Sequence, residues 1–166
     1  ACTDQCSPGF QCKFVPSGAD VAAVCISSWA RLCNPCKENK DCHYLGIDDA
    51  RCIDRGEAGG FCGTACTDDG NDCPSGHACK SVKDLDGNTA KQCVPVAPSG
   101  KLAACLCSAN AVTKAAKTVC RKSLVVDEEE FSCDGEAQCK VVGESATCVA
   151  KEPAPETCDG IDNDCD

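Results

Sequence analysis

Cys66–Cys93 reads CTDDGNDCPSGHACKSVKDLDGNTAKQC, and its cysteine spacing decides the fold. Five residues separate the second and third cysteines, Cys73 and Cys79, and 13 precede the fourth, Cys93. The stretch Cys2–Cys25, CTDQCSPGFQCKFVPSGADVAAVC, has the same plan: Cys2, Cys6, Cys12 and Cys25, with five residues and then 12. CSPGFQC and CPSGHAC are near copies. Cys36, Cys42, Cys52 and Cys62 form a looser version, and Cys120, Cys133, Cys139 and Cys148 a fourth. Four weak copies of one unit predict a tandem array rather than one globule.

Each unit closes on a hairpin. The third cysteine opens a short alternating segment (QCKFV, RCID, ACKSV, QCKVV), and a turn rich in Gly, Asp, Ser or Pro follows (PSGAD, RGEAGG, DLDGN, VGES). A returning strand carries the fourth cysteine. Asp86-Gly87 is the strongest turn signal, because a type I′ turn needs positive φ at both central positions. An isolated two-stranded hairpin is marginal in water, so the preceding loop must be tied to it. Four cysteines allow three pairings. The one expected here joins first to third and second to fourth: Cys2–Cys12, Cys6–Cys25, Cys36–Cys52, Cys42–Cys62, Cys66–Cys79, Cys73–Cys93, Cys120–Cys139 and Cys133–Cys148. Of the remaining five cysteines, Cys105 and Cys107 are too close to pair, so one of them reaches Cys33 or a neighbouring unit. Cys158–Cys165 would close the C-terminal loop on itself. Because 21 is odd, at least one thiol is free or bonded elsewhere.

Composition agrees with a covalent framework. The chain holds 21 cysteines in 166 residues, above the ~8–10% that marks a disulfide scaffold. One Trp, one Tyr, four Phe and no Met leave little material for a large apolar core. Modules this small need staples worth ~2–4 kcal/mol each, and these persist only in an oxidising compartment. The expectation is a secreted or cell-surface protein. A net charge of −10 argues against nucleic acid and anionic membranes as partners. No apolar run approaches the ~18 residues of a membrane span, so membrane insertion is not expected. The sequence opens on structural cysteines and reads as a mature or excised segment.

The expected fold class is therefore small and disulfide-rich, with tandem β-hairpin modules, one short helix and little other regular structure. The modules divide as 1–35, 36–65, 66–100 and 101–150, the last including the helix, with a linker and acidic motif at 151–166. Ser108 is placed to cap a helix over 109–118, packing Val112, Ala115 and Ala116 inward. KEPAPET, 151–157, reads as a stiff, exposed spacer.

Beyond it lies CDGIDNDCD, 158–166. Asp162, Asp164 and Asp166 alternate as in the first half of a calcium loop, where side chains at positions 1, 3 and 5 converge on one ion. Asp159 and Asn163 add oxygens, so the candidate ligand set for calcium is Asp159, Asp162, Asn163, Asp164 and Asp166. Other candidates carry less. Asp84, Asp86 and Asn88 alternate oxygens too, but inside a hairpin turn, where Asp and Gly are ordinary turn formers. Cys33-x-x-Cys36 has zinc-ligand and redox-motif spacing, yet the disulfide-dense context favours bridges. His43 and His77 are isolated, and no serine has a paired base, so no catalytic residues are assigned. Trp29 is expected to pack a disulfide; an exposed Trp29–Tyr44 pair would instead suit ligand binding.

These residues resemble a family. PAPET followed by CDGIDNDCD is similar to the E-x-C-D-G-x-D-N-D-C-D-G motif of Cys-rich secreted proteins from myxobacteria and related δ-proteobacteria, a motif described as metal-binding and of MopE type. LCNPCKENKDC, GGFCGTACTDDGNDCPSGHAC and CLCSANAV also look like modules preceding it there. The resemblance implies a large, multi-module exported protein at a bacterial surface. The motif's final Gly and following acids are not present in this sequence. Together these readings lead to a non-enzymatic structural unit of an extracellular fibre or surface assembly, with neighbouring copies or modules as partners and calcium clipping one to the next. The alternatives are an adhesion or ligand-binding ectodomain and a knottin-like protease inhibitor presenting Arg51 or Arg55.

Overall fold

The computed structural model describes residues 2, 6–67, 72–157 and 160–165. The chain is a small, disulfide-rich protein of β-hairpins with one short helix. Strands β1 (Phe10–Ser17) and β2 (Asp20–Ser27) form the first hairpin. β3 (Pro35–Cys36), β4 (Cys52–Asp54) and β5 (Gly60–Cys62) form a three-stranded sheet of order β3-β5-β4. β6 (His77–Lys83) and β7 (Thr89–Pro95) pair as a second two-stranded hairpin. Helix α1 (Ala109–Thr113) leads into β8 (Lys117–Val126), β9 (Glu129–Gln138) and β10 (Thr147–Ala150), in the order β10-β9-β8.

In the first three units the third and fourth cysteines face each other in register: Cys12 with Cys25, Cys52 with Cys62, Cys79 with Cys93. Each hairpin therefore presents two adjacent sulfur sites to the loop before it. The bonds are Cys2–Cys12 and Cys6–Cys25, Cys36–Cys52 and Cys42–Cys62, Cys66–Cys79 and Cys73–Cys93. Sulfur fills the space that aliphatic side chains fill elsewhere: one buried cluster is Cys36, Cys42, Ala50, Cys52 and Cys62.

The fourth unit departs from expectation. Cys120–Cys139 and Cys133–Cys148 do not form; the bonds are Cys107–Cys139, Cys120–Cys148 and Cys133–Cys165. The first-to-third, second-to-fourth rule still holds if Cys107 and Cys120 are the first two cysteines of the unit. Geometry explains the choice. Cys120 and Cys148 lie opposite Gly135 and Ala137 of the intervening strand β9, and their Cα atoms come within 5.8 Å. At Gly135 any side chain would collide with Val149 and Ala150 of β10. Cys105 joins Cys33, across 72 residues. All 20 cysteines among the described residues are thus paired with one another, and Cys158 lies outside those residues.

Two local expectations also change. The loop joining β6 to β7 is five residues long, 84–88, and only Gly87 in it has positive φ. Asp86-Gly87 is therefore not a I′ pair; the Asp84 carboxylate organises the loop by accepting from the Asp86 and Asn88 N–H groups. The two-residue loop with positive φ at both positions is Asp127-Glu128, at 52° and 72°. The helix stops at Thr113, because Ala115 turns left-handed at φ 49° before β8 begins. Ser108 caps it, accepting from Ala111 N–H at 3.0 Å. The buried helical residue is Ala111, beside Cys107–Cys139, with Val112 and Ala116 partly covered and Ala115 exposed.

Units two, three and four are locked together by buried polar contacts as well as by Cys33–Cys105. Gln92 on β7 is 2% exposed; its amide oxygen accepts from Arg51 N–H and its NH2 donates to Asp49 C=O, both at 3.1 Å. Asn39 accepts from Cys52 N–H and donates to the carboxylates of Asp84 and Asp86. Thr118 on β8 accepts from Gly60 N–H at 2.7 Å, and Ser108 and Asn110 bond the buried Asn34. Gln92, Asp84, Thr118 and Asn34 are buried, where an unpaired polar group is costly, so each of their pairings fixes a relative position. The first hairpin is different. No residue of β1 or β2 is buried, and its root is held by Trp29, which covers Gly9 and donates from Nε1 to Asp72 C=O.

Candidate metal site and its surroundings

The acidic motif does not hang from a free spacer. Cys133 of β9 is bonded to Cys165, so the motif is stapled to the outer sheet; a Cys158–Cys165 closure is excluded by that bond. The preceding segment, expected to be stiff and exposed, is partly packed: Pro153 is buried and Glu152 pairs with Lys122. Ala154 N–H donates to Asn163 C=O at 2.9 Å, folding the motif back along its own approach.

That fold-back creates the site. One oxygen each from Glu156, Asp162 and Asp164 lie within 4.8 Å of one another. Asp162 also accepts from Cys165 N–H at 2.7 Å, and Glu156 from Asn163 N–H at 2.8 Å. The Asn163 amide is engaged with the Thr157 hydroxyl, at 3.0 Å. Of the expected ligands, Asp162 and Asp164 converge, Asn163 is turned to its own loop, and Asp159 and Asp166 lie outside the described residues. Glu156 is the ligand-type residue that sequence reasoning missed. It precedes the alternating run and was assigned to the spacer, although it is the first acid of the motif. Three exposed or half-exposed carboxylates are hard oxygen donors of the kind calcium takes.

Elsewhere, chemistry-bearing residues are occupied structurally. Cys33 and Cys36 each belong to a separate disulfide, so neither a zinc site nor a redox pair forms there. Asp84, 1% exposed, belongs to the turn. Burial pushes its carboxyl pKa up, and hydrogen bonds from Asn88, Asn39 and Asp86 more than offset this, holding it below the ordinary value. His43 Nδ1 lies 3.9 Å from the Asp48 carboxylate, and His77 Nδ1 contacts the Ser75 carbonyl oxygen. Tyr44 lies under the Arg31 guanidinium, and Trp29 under Gly9, so the two aromatics are engaged separately. Arg55, an inhibitor-loop candidate, reaches inward to Ala103 C=O and is half-buried.

Two hollows remain. One of about 490 Å³ is largely apolar, bounded by Trp29, Leu32, His77, Val96 and Leu106. Another of about 220 Å³ is lined by Arg31, Lys37, Lys114 and Lys117. No helix among the described residues is long and apolar enough to cross a membrane. The ten disulfides among the described residues suit an oxidising, extracellular-type environment. No protein-family profile, curated protein or solved structure matches this chain.

Proposed function

We propose that this chain is a non-enzymatic structural repeat module of a bacterial extracellular or cell-surface assembly, built as a fibre, with calcium clipping one unit to the next. The observation that carries the reading is the surface loop in which Glu156, Asp162 and Asp164 converge, cross-linked to the outer sheet by Cys133–Cys165. A carboxylate site on exposed or half-exposed residues that line neither hollow described above suits an ion shared between units better than one that activates a substrate. Three carboxylates leave calcium's usual six to eight positions incomplete, and oxygens from a neighbouring copy or module would complete them. Support also comes from the framework: three fused units stapled by disulfides resist unfolding outside the cell.

Negative-stain electron microscopy of the exported protein, with and without a calcium chelator, tests this. Filaments that fall apart on chelation are expected. Filaments indifferent to chelator would remove the ion clip, and discrete particles under both conditions would remove the fibre. The apolar hollow beside Trp29 favours the second reading, an adhesion or ligand-binding ectodomain, since its volume falls in the range of small-ligand sites. Discrete particles would move the assignment there.

A further inference from the structure

The β8–β9 hairpin carries opposite charge at its two ends. At its base, Lys117 opens β8 and joins Arg31, Lys37 and Lys114 around the 220 Å³ cleft. One acid pairs with these cations, and a second lines the cleft while bonding backbone N–H groups. Glu136 pairs with Lys117 at 2.6 Å and Lys37 at 3.4 Å, while the Asp41 carboxylate accepts from the Lys37 and Glu38 N–H groups. Lys114, exposed at the end of α1, has no side-chain partner among the described residues. The cleft therefore keeps a positive excess in a chain whose net charge is −10.

At the other end stand four consecutive acids, Asp127, Glu128, Glu129 and Glu130, all exposed. Asp127, Glu128 and Glu129 have no ion-pair partner among the described residues. The tip is narrow, a two-residue loop closed by the Val126–Glu129 pair. Both loop residues are left-handed without being glycine, and at Glu128 that conformation strains an ordinary side chain. A turn of this type normally takes Asn-Gly or Asp-Gly; here the more favourable residue is replaced by a charge at the most protruding point.

We propose that the cleft bounded by Arg31, Lys37, Lys114 and Lys117 receives the acidic hairpin tip Asp127–Glu130 of a second copy of this chain. The proposal rests on the assembly reading above and names its contact. Nine residue steps along β8 take Lys117 to Val126, about 30 Å at ~3.3 Å per residue, so a chain cannot seat its own tip in its own cleft. Two different patches at opposite ends of one rigid hairpin make a head-to-tail contact, which propagates as an open filament when its rotation does not close a ring. A contact carried by charge is strong at low ionic strength and screened at high.

Sedimentation velocity of the oxidised chain at roughly 0.01 M and 1 M ionic strength gives the first readout. Concentration-dependent association at low salt, lost at high salt, is expected. A tip variant (Glu128→Lys with Glu129→Lys) and a cleft variant (Lys114→Glu with Lys117→Glu) are each expected to sediment as monomers. Their equimolar mixture restores association, because the cleft variant keeps the parent tip and the tip variant keeps the parent cleft, and one chain carrying all four changes associates through the exchanged charges at those positions. Restoration also shows that the variants are folded. Association of either variant alone at the parent level overturns the contact while leaving assembly intact. Failure of both the mixture and the four-fold variant to associate overturns it too. A parent that stays monomeric at every salt and concentration overturns the contact and the assembly reading together.

Discussion

Removing the Cys33–Cys105 bridge tests whether units two to four are one body. The substitution is Cys33→Ala with Cys105→Ala, which frees no new thiol and leaves only small residues in the cluster with Phe61. For a bare loop of 72 residues the chain-entropy relation gives about 4.4 kcal/mol. Other bridges shorten that loop. The shortest covalent route follows 33–42, crosses Cys42–Cys62, follows 62–73, crosses Cys73–Cys93 and ends along 93–105. It contains roughly 32 residues, for which the same relation gives about 3.7 kcal/mol. At roughly 2–4 °C per kcal/mol for a chain of this size, Tm should fall by about 7–15 °C. Calorimetry without reductant is the assay. A parallel variant, Cys2→Ala with Cys12→Ala, opens a loop of separation 10, worth about 2.7 kcal/mol. Because β1 and β2 bury no residue, that loss should loosen the first hairpin and leave the main transition in place. A main transition that ignores the loss of Cys33–Cys105, or that follows Cys2–Cys12 as closely, would refute the division into one fused body and one appended hairpin.

Three further substitutions probe the contacts between units. Gln92→Ala strands Arg51 N–H and Asp49 C=O out of water and should cost about 2–4 kcal/mol, read as a lower guanidinium midpoint. Gly60→Ala places a methyl 2.6 Å from Cys52 Sγ and 2.8 Å from the Cys36 carbonyl oxygen; about 1–3 kcal/mol of destabilisation is expected, and equal stability would mean the sheet yields there. Asp84 gives a pH dependence. Its carboxyl is held below its unfolded value of about 3.9, so its stabilisation is present above that pH and is lost as pH falls through the lower folded value. Thermal scans of Asp84→Asn should show a shallower loss below pH ~4 than the parent; parallel curves would remove Asp84 as the titrating group.

What the sequence disclosed was local. CSPGFQC and CPSGHAC each set one cysteine on a hairpin strand and one in the loop before it, and strand pairing brings the unit's last cysteine opposite the first of these, so the first six bonds follow from spacing. The fourth unit misled because five residues also separate Cys133 from Cys139, copying the signal, while the helix and the long hairpin had moved the unit's true second cysteine back to Cys120. The pairing rule was legible; the residues filling it were not, because β10 finds Cys120 only after the sheet curls over Gly135. Gln92, Asn39 and Thr118 gave no sign either. Each stands in a polar stretch that reads as surface, and burial comes from a neighbouring unit. Glu156 was hidden for a related reason: its spacer context concealed that Ala154 would pair with Asn163 and bring it back to the loop.

The staple on the acidic motif bears on what an ion there would do. In loops that fold around calcium, the ion supplies the ordering energy and the apo form is loose. Here Cys133–Cys165, the Ala154–Asn163 hydrogen bond and the Asp162–Cys165 turn supply order from within the chain. Binding an ion would then change the fold little and the surface charge substantially, neutralising part of a carboxylate group that otherwise repels another acidic molecule. With a net charge of −10, two copies approach against mutual repulsion, and any lasting contact needs a local reversal of sign. The molecule offers two such places, an acidic loop able to take a cation and a lysine cleft that is cationic already. The first responds to chelator and the second to monovalent salt. Measuring association against both on the same preparation would therefore separate an ion clip from a hairpin-in-cleft contact, and loss under only one condition would assign the joint.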